Sequence, residues 1–184
     1  MTIVRGQRAL VFPTRFMLVA ATNPCPCGFA GVGDRCRCGE AELRRHRRRL
    51  SGPLLDRMDL LVAVEQPTEP ELRAPPVTSS GHVRERVAEA RERQRARLAD
   101  EFVSCNGQLD GRLVQRYVHL EETAAAILAR AYATGTLSAR GRHRVLRTAR
   151  TVADLNGRDR VTSHDLLTAL SLRQRTSSEE ALAA

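Results

Sequence analysis

The chain has 184 residues, 42% hydrophobic and 28% charged, a foldable mixture large enough for one ordinary domain or two small ones. Aromatic residues make up only 3% and tryptophan is absent, so the core must be built from Leu, Val, Ala and Ile, and a base-stacking platform for single strands is disfavoured. The net charge of +9 rests on arginine, with no lysine anywhere; it permits contact with a polyanion through phosphates, although a GC-rich coding sequence would leave the same excess.

In chain order, Thr2 to Val4 and Ala9 to Phe12 flank Arg5-Gly6-Gln7-Arg8, which predicts a β-hairpin with a polar, basic tip. Phe16 to Ala21 (FMLVAA) is a continuous apolar run of the kind found in a strand covered on both faces. It is too short to span a membrane, and Asn23-Pro24 follows where a small-residue cleavage site would lie, so a cytoplasmic protein is expected. Cys25 to Cys38 reads as a loop, Glu40 to Leu50 as an arginine-rich helix, and Asp59 to Val64 (DLLVAV) as a second buried strand. Gln66 to Ser80 holds four of the eight prolines and marks a linker.

Everything beyond is helical in pattern. Val83 to Leu98 has Ser79 or Ser80 as an N-cap, and Leu109 to Tyr117, Glu121 to Thr134, Arg140 to Leu155 and Thr162 to Arg173 complete a small bundle. Gly135 and Gly157 sit where helices stop, and Asp165 in the first turn of the last helix suits its dipole. The expected organisation is an α/β portion over residues 1–66, a linker over 67–80, an all-α portion over 81–175 and a frayed tail over 176–184.

Three constellations and a cysteine set carry candidate chemistry. Asn23, after an apolar run, sits where α/β proteins bind ligands and could orient a water against a terminal phosphate; on the dipeptide alone a plain Asn-Pro turn is the simpler reading. Arg57 lies on a short turn in Ser51-Gly52-Pro53-Leu54-Leu55-Asp56-Arg57-Met58-Asp59. It reads either as a surface pair with Asp56 or Asp59, or as a charged fork offered to a neighbouring subunit's nucleotide. Arg140 opens a helix against its own dipole, which invites phosphate contact, while Arg144 and Arg147 are expected on a solvated face. Cys25-Pro26-Cys27 and Cys36-Arg37-Cys38 could enclose a tetrahedral zinc, or could be reduced thiols in a loop; Cys105 lies outside the set and is expected to be buried.

The strings FPTRFMLVAATNPCPCG, CRC, RRRLSGPLLDRMDLLVAV and LSARGRHRVLRTARTVADLNG, in this order, resemble the magnesium-chelatase-like AAA+ ATPases of the YifB/ComM type. The resemblance implies an incomplete α/β core followed by an all-α helical lid, in a homo-oligomeric ring or joined to an intact paralogue. It makes Asn23 the sensor-1 residue, Arg57 the arginine finger and Arg140 the sensor-2 arginine, acting in cis or in trans. It implies ATP and Mg²⁺ as cofactors and DNA as a partner, with Arg5 and Arg8 at the hairpin tip touching phosphate in a pore, or serving only as a polar tip. Members carry a phosphate-loop lysine that this chain lacks, so ATP hydrolysis by the chain alone is not expected. The uncovered faces of the two apolar runs are expected to promote association or instability.

Overall fold

A computed structural model describes residues 2–12, 16–49, 52–55 and 57–173. Its contacts divide the chain into two units, Met1–Arg49 and Leu50–Ala184.

In the first unit β1 (Thr2–Arg5) and β2 (Arg8–Val11) pair antiparallel, with Thr2 opposite Val11 and Arg5 opposite Arg8. The two-residue turn between them needs a left-handed residue at its first position, and Gly6 supplies it at φ +61°. α1 (Glu40–Arg49) carries Glu40 and Glu42 in its first turn and His46 to Arg49 in its last, which matches the helix dipole at both ends. The Glu42 carboxylate also accepts from the Gly39 N–H at 3.0 Å, and Leu43 is its buried anchor.

The two apolar runs depart from expectation. Phe16 to Ala21 and Asp59 to Val64 were expected as buried strands; neither is in a ladder, and Met17 and Val64 are 88% and 90% exposed. A strand is held by ladder hydrogen bonds and by cross-strand neighbours. Among the described residues neither run meets a second strand, and the hairpin is the only sheet. Among the described residues, the α/β core expected over residues 1–66 is represented by that hairpin, the 3₁₀ turn Gly33–Arg35, α1 and a short helix over Gly52–Leu55.

The second unit opens with the short α2 (Gly52–Leu55) and α3 (Glu69–Arg73). α3 forms inside the proline-rich linker because Pro70 falls in its first turn, where a missing N–H costs nothing, and Glu71 accepts from the Thr68 N–H at 2.7 Å. The bundle proper is α4 (Ser80–Arg97), α5 (Gly111–Tyr117), α6 (Glu122–Ala133), α7 (Ala139–Leu155) and α8 (Ser163–Ser171). Side-chain caps start four of them: Ser79, Asp110, Ser138 and Thr162 accept from His82, Leu113, Gly141 and Asp165 respectively. Gly135 and Gly157, at φ +73° and +69°, terminate α6 and α7 as expected.

α7 is the central element. Gly141, Val145, Leu146, Ala149 and Ala153 recur at helical spacing and are buried, so one stripe faces α4, α5, α6 and α8. Ala149 and Ala153 of α7 and Ala169 of α8 belong to the same buried cluster, where α7 and α8 pack together. Leu98, Leu113, Leu128, Val161 and Leu166 fill the remainder of the core. Cys105, expected to be buried, is half-buried at the start of the 3₁₀ turn Asn106–Gln108.

Asp165 is buried and closes a capping box, accepting from Thr162 N–H (3.0 Å), Thr162 Oγ1 (2.8 Å), Asn156 Nδ2 (3.0 Å) and Arg158 Nη1 (2.7 Å). Burial alone would raise its pKa, but the Thr162 and Asn156 hydrogen bonds and the Arg158 charge outweigh it and hold the carboxyl below its ordinary value of 3.8. A depressed folded pKa contributes stability that is complete above the unfolded value and is lost as pH falls through the folded one. The thermal midpoint of the helical unit should therefore fall with acidification below about pH 4, and Asp165→Asn should lower it at pH 7 while flattening that acid limb. An unchanged acid limb in the variant would show that other carboxylates govern it.

Candidate functional site

The first unit brings the four cysteines together. Cys25-Pro26-Cys27-Gly28 is a tight turn, closed by the Gly28 N–H on Cys25 O at 3.1 Å, with Pro26 presetting its second residue and Gly28 in the left-handed region at φ +84°. The turn aims both thiols one way, and the 3₁₀ turn Gly33–Arg35 returns the chain so that Cys36 and Cys38 face them. The four Sγ atoms all lie within 4.8 Å of one another, with Cys25–Cys27 at 3.3 Å, Cys27–Cys36 at 3.7 Å and Cys25–Cys36 at 3.9 Å. Four sulfurs on a tetrahedral zinc with bonds of about 2.3 Å stand about 3.8 Å apart, so the set fits that ion. Cys25 is fully buried, and its sulfur receives the Ala30 N–H at 3.2 Å, as a metal-bound thiolate's would.

The electrostatics of the cluster are divided. Hydrogen bonds from the backbone of Phe29 and Arg37, and a smaller one from the Cys25 side chain, draw the Cys27 thiol down to about 6. At Cys38 a hydrogen bond from the Cys27 backbone acts in the same sense, but burial and the Cys27 and Cys25 sulfurs outweigh it and push the thiol up to about 12. Four sulfurs this close cannot all be anionic unless a cation sits among them.

Asn23 immediately precedes this loop and is exposed. Its backbone is fixed by α1: His46 Nε2 lies 2.9 Å from Asn23 O, and since a carbonyl only accepts, that nitrogen carries the hydrogen. Asn23, His46, Arg45 and Arg49 line an open cavity of about 680 Å³. Arg45, His46 and Arg49 were not singled out from sequence; the i, i+4 spacing of Arg45 and Arg49 in the arginine run was the available signal. Arg5 and Arg8 are exposed and directly opposed across the hairpin, a like-charge pair that a bound anion would relieve.

The second unit holds Arg57 and Arg140. Ser51 and Asp56 lie outside the described residues. Arg57 is exposed on a turn in which its N–H bonds Leu54 O at 2.9 Å. Arg140, exposed, stands in the first turn of α7. One turn further along, Arg144 Nη1 donates to Arg57 O at 2.7 Å and to Asp59 Oδ1 at 2.7 Å. The fold thereby brings Arg57 and Arg140, far apart in sequence, to the same end of α7. It also corrects the reading of Arg144 and Arg147 as a solvated face: their side chains are only 15% and 21% exposed, and both grip Asp59. The donors offered are amide and guanidinium groups that suit phosphate oxygens. Asp59 Oδ1 accepts from both Arg144 and Arg147.

Two family models together match most of the chain. The magnesium chelatase, subunit ChlI, family model matches residues 1–72, and the model of the ChlI C-terminal region matches residues 77–173. The chain belongs to the magnesium chelatase family. It is 39% identical over 172 residues to an uncharacterized protein of Mycobacterium tuberculosis, covering 94% of this chain and 34% of that protein. It is 35% identical over 173 residues to the competence protein ComM of Haemophilus influenzae, covering 93% of this chain and 33% of ComM, and 37% identical over 171 residues to the uncharacterized protein YifB of Escherichia coli, covering 92% and 33%. The chain spans about a third of the length of these curated relatives.

Proposed function

We propose that this chain is the sensing and finger-bearing portion of a ring-forming AAA+ ATPase that couples ATP hydrolysis to DNA processing of the competence or recombination type. The observation that carries the reading is the convergence of Arg57 and Arg140 on one end of α7 through the Arg144–Arg57 hydrogen bond. Two arginines on exposed positions near the start of α7 suit the charge of a phosphoryl group held by a neighbouring subunit. Asn23 serves as the sensor beside the first unit's cavity. Grip on the phosphates must come from residues outside this sequence, so the chain alone does not hydrolyse ATP.

DNA as the partner is supported by where the charge lies. Residues 1–49 hold ten arginines against three acidic residues, whereas the remaining residues hold twenty against eighteen. Such a surface binds phosphate without reading bases, and Arg5 and Arg8 at the hairpin tip are its pore-facing contacts. Membership of a family that includes a competence protein points the same way. We also propose that Cys25, Cys27, Cys36 and Cys38 hold a structural zinc, on the sulfur geometry above.

The test is a chimera in which this chain replaces the matching third of the Haemophilus influenzae protein, with ATP hydrolysis measured in parallel on that protein. The chimera should hydrolyse ATP. Arg57→Ala should lower kcat by roughly 10³-fold or more, the scale set by finger arginines in related chemistry. An inactive chimera, or an Arg57→Ala variant with unchanged kcat, would remove the proposal.

A further inference from the structure

We infer that Arg144, with Asp59, is a positioning residue that mounts Arg57 on α7, so that the finger moves with the helical unit. The inference rests on the finger reading of Arg57 for its functional consequence, though not for the mount itself. Successive backbone groups after the Arg57 turn are tied to the bundle. Arg144 Nη1 holds Arg57 O, Arg173 Nη1 holds Met58 O at 2.9 Å, and the Leu61 N–H bonds Leu172 O at 2.7 Å. Asp59 Oδ1 accepts from Arg144 at 2.7 Å and from Arg147 Nη2 at 3.2 Å, while Arg147 Nη1 bonds Gly107 O at 2.9 Å. Arg144 thus holds the segment by a main-chain and a side-chain acceptor at once.

The chemistry favours arginine over lysine at these positions. A planar guanidinium fixes the direction of its N–H groups and keeps its charge when partly buried, whereas an ammonium is a strongly hydrated point charge on a flexible stem. The bonds are charge-assisted, stronger than neutral ones, and Arg144 and Arg147 are shielded enough from solvent for that to count. Arg57 then starts from an anchored main chain, held by Arg144, which stands one helical turn after Arg140 on α7. A reorientation of α7 would carry both guanidinium groups together. Catalysis by positioned charge is sensitive to displacements of about 1 Å, which can cost roughly 10²-fold.

The mount is tested by amide hydrogen exchange on the full chain. The Leu61 amide should be protected. Arg144→Ala and Asp59→Ala should each speed its exchange at least tenfold, with core amides of α6 and α8 unchanged, and Arg144→Lys should fall between. An unprotected Leu61 amide, or protection that survives Arg144→Ala, overturns the inference. In the chimera, Arg144→Ala should lower kcat roughly 10- to 100-fold with KM within twofold, and Arg144→Lys should recover part of it. Loss of kcat on Arg57→Ala but not on Arg144→Ala overturns the positioning role and leaves the finger standing. No loss on Arg57→Ala removes the finger reading, and the exchange result then decides the mount alone.

Discussion

Replacing Asp154 by alanine should lower the stability of the helical unit by about 3–5 kcal/mol, the cost of leaving buried charge without its partner. Asp154 is buried on α7 and joins three parts of the bundle. Arg97, at the C-terminal end of α4, meets its two oxygens at 2.5 and 3.3 Å; Arg150 reaches it at 3.0 Å from one turn earlier on α7; and Asn106 Nδ2, in the 3₁₀ turn, donates at 2.8 Å. Arg150 is itself only 1% exposed and also bonds the carbonyls of Arg158 and Asp159 beyond the helix end. Removing the carboxylate takes the anionic partner from buried Arg150 and from Arg97, whose side chain is 19% exposed, and leaves Arg150 only its two carbonyl acceptors. A domain has about 5–15 kcal/mol in total, so the loss should be plain in a denaturant titration of the helical signal. Asp154→Asn, which keeps acceptor capacity but not charge, should fall between. The exposed pair Glu92–Arg95 is the control, since Glu92→Ala should leave the midpoint where it was. A loss below about 1 kcal/mol for Asp154→Ala would place this network with ordinary surface pairs.

That network shows what kind of information the sequence carries. Caps and stops are local, so Ser79, Gly135 and Gly157 were legible before any coordinates: each acts on the backbone within a few residues. The cysteine spacing was legible for the same reason. The runs Phe16 to Ala21 and Asp59 to Val64 failed as strands because a strand is a property of a pair, and their apolar residues say only that they would accept cover. Arg144 and Arg147 were misread because helical periodicity assigns a face without saying what lies against it. The segment that covers them, Arg57 to Leu61, is more than eighty residues away. Arg150 had a faint signal, a charged residue four after Leu146 within the buried stripe of α7 and four before Asp154. The His46 hydrogen bond to Asn23 O had none, since it depends on where the cysteine loop returns the chain.

The same locality makes the metal prediction sharp. The purified protein should carry one zinc per chain, and Cys36→Ala or Cys38→Ala should reduce the metal content to less than a tenth of that, measured by atomic emission after extensive dialysis. Structural zinc sites supply folding free energy to loops with little core of their own, and among the described residues of 25–38 only Cys25 is buried. Removing the metal should therefore open this loop to protease and loosen Asn23, which lies two residues before Cys25 and is tied to α1 through His46. The helical unit has its own core of sixteen buried residues, so its melting should not change. That contrast separates a local zinc knuckle from a global stabiliser: equal damage to both units would contradict it. Protein free of zinc in which the loop resists protease as well as before would mean that the sulfur cluster and its amide hydrogen bonds hold the turn without an ion.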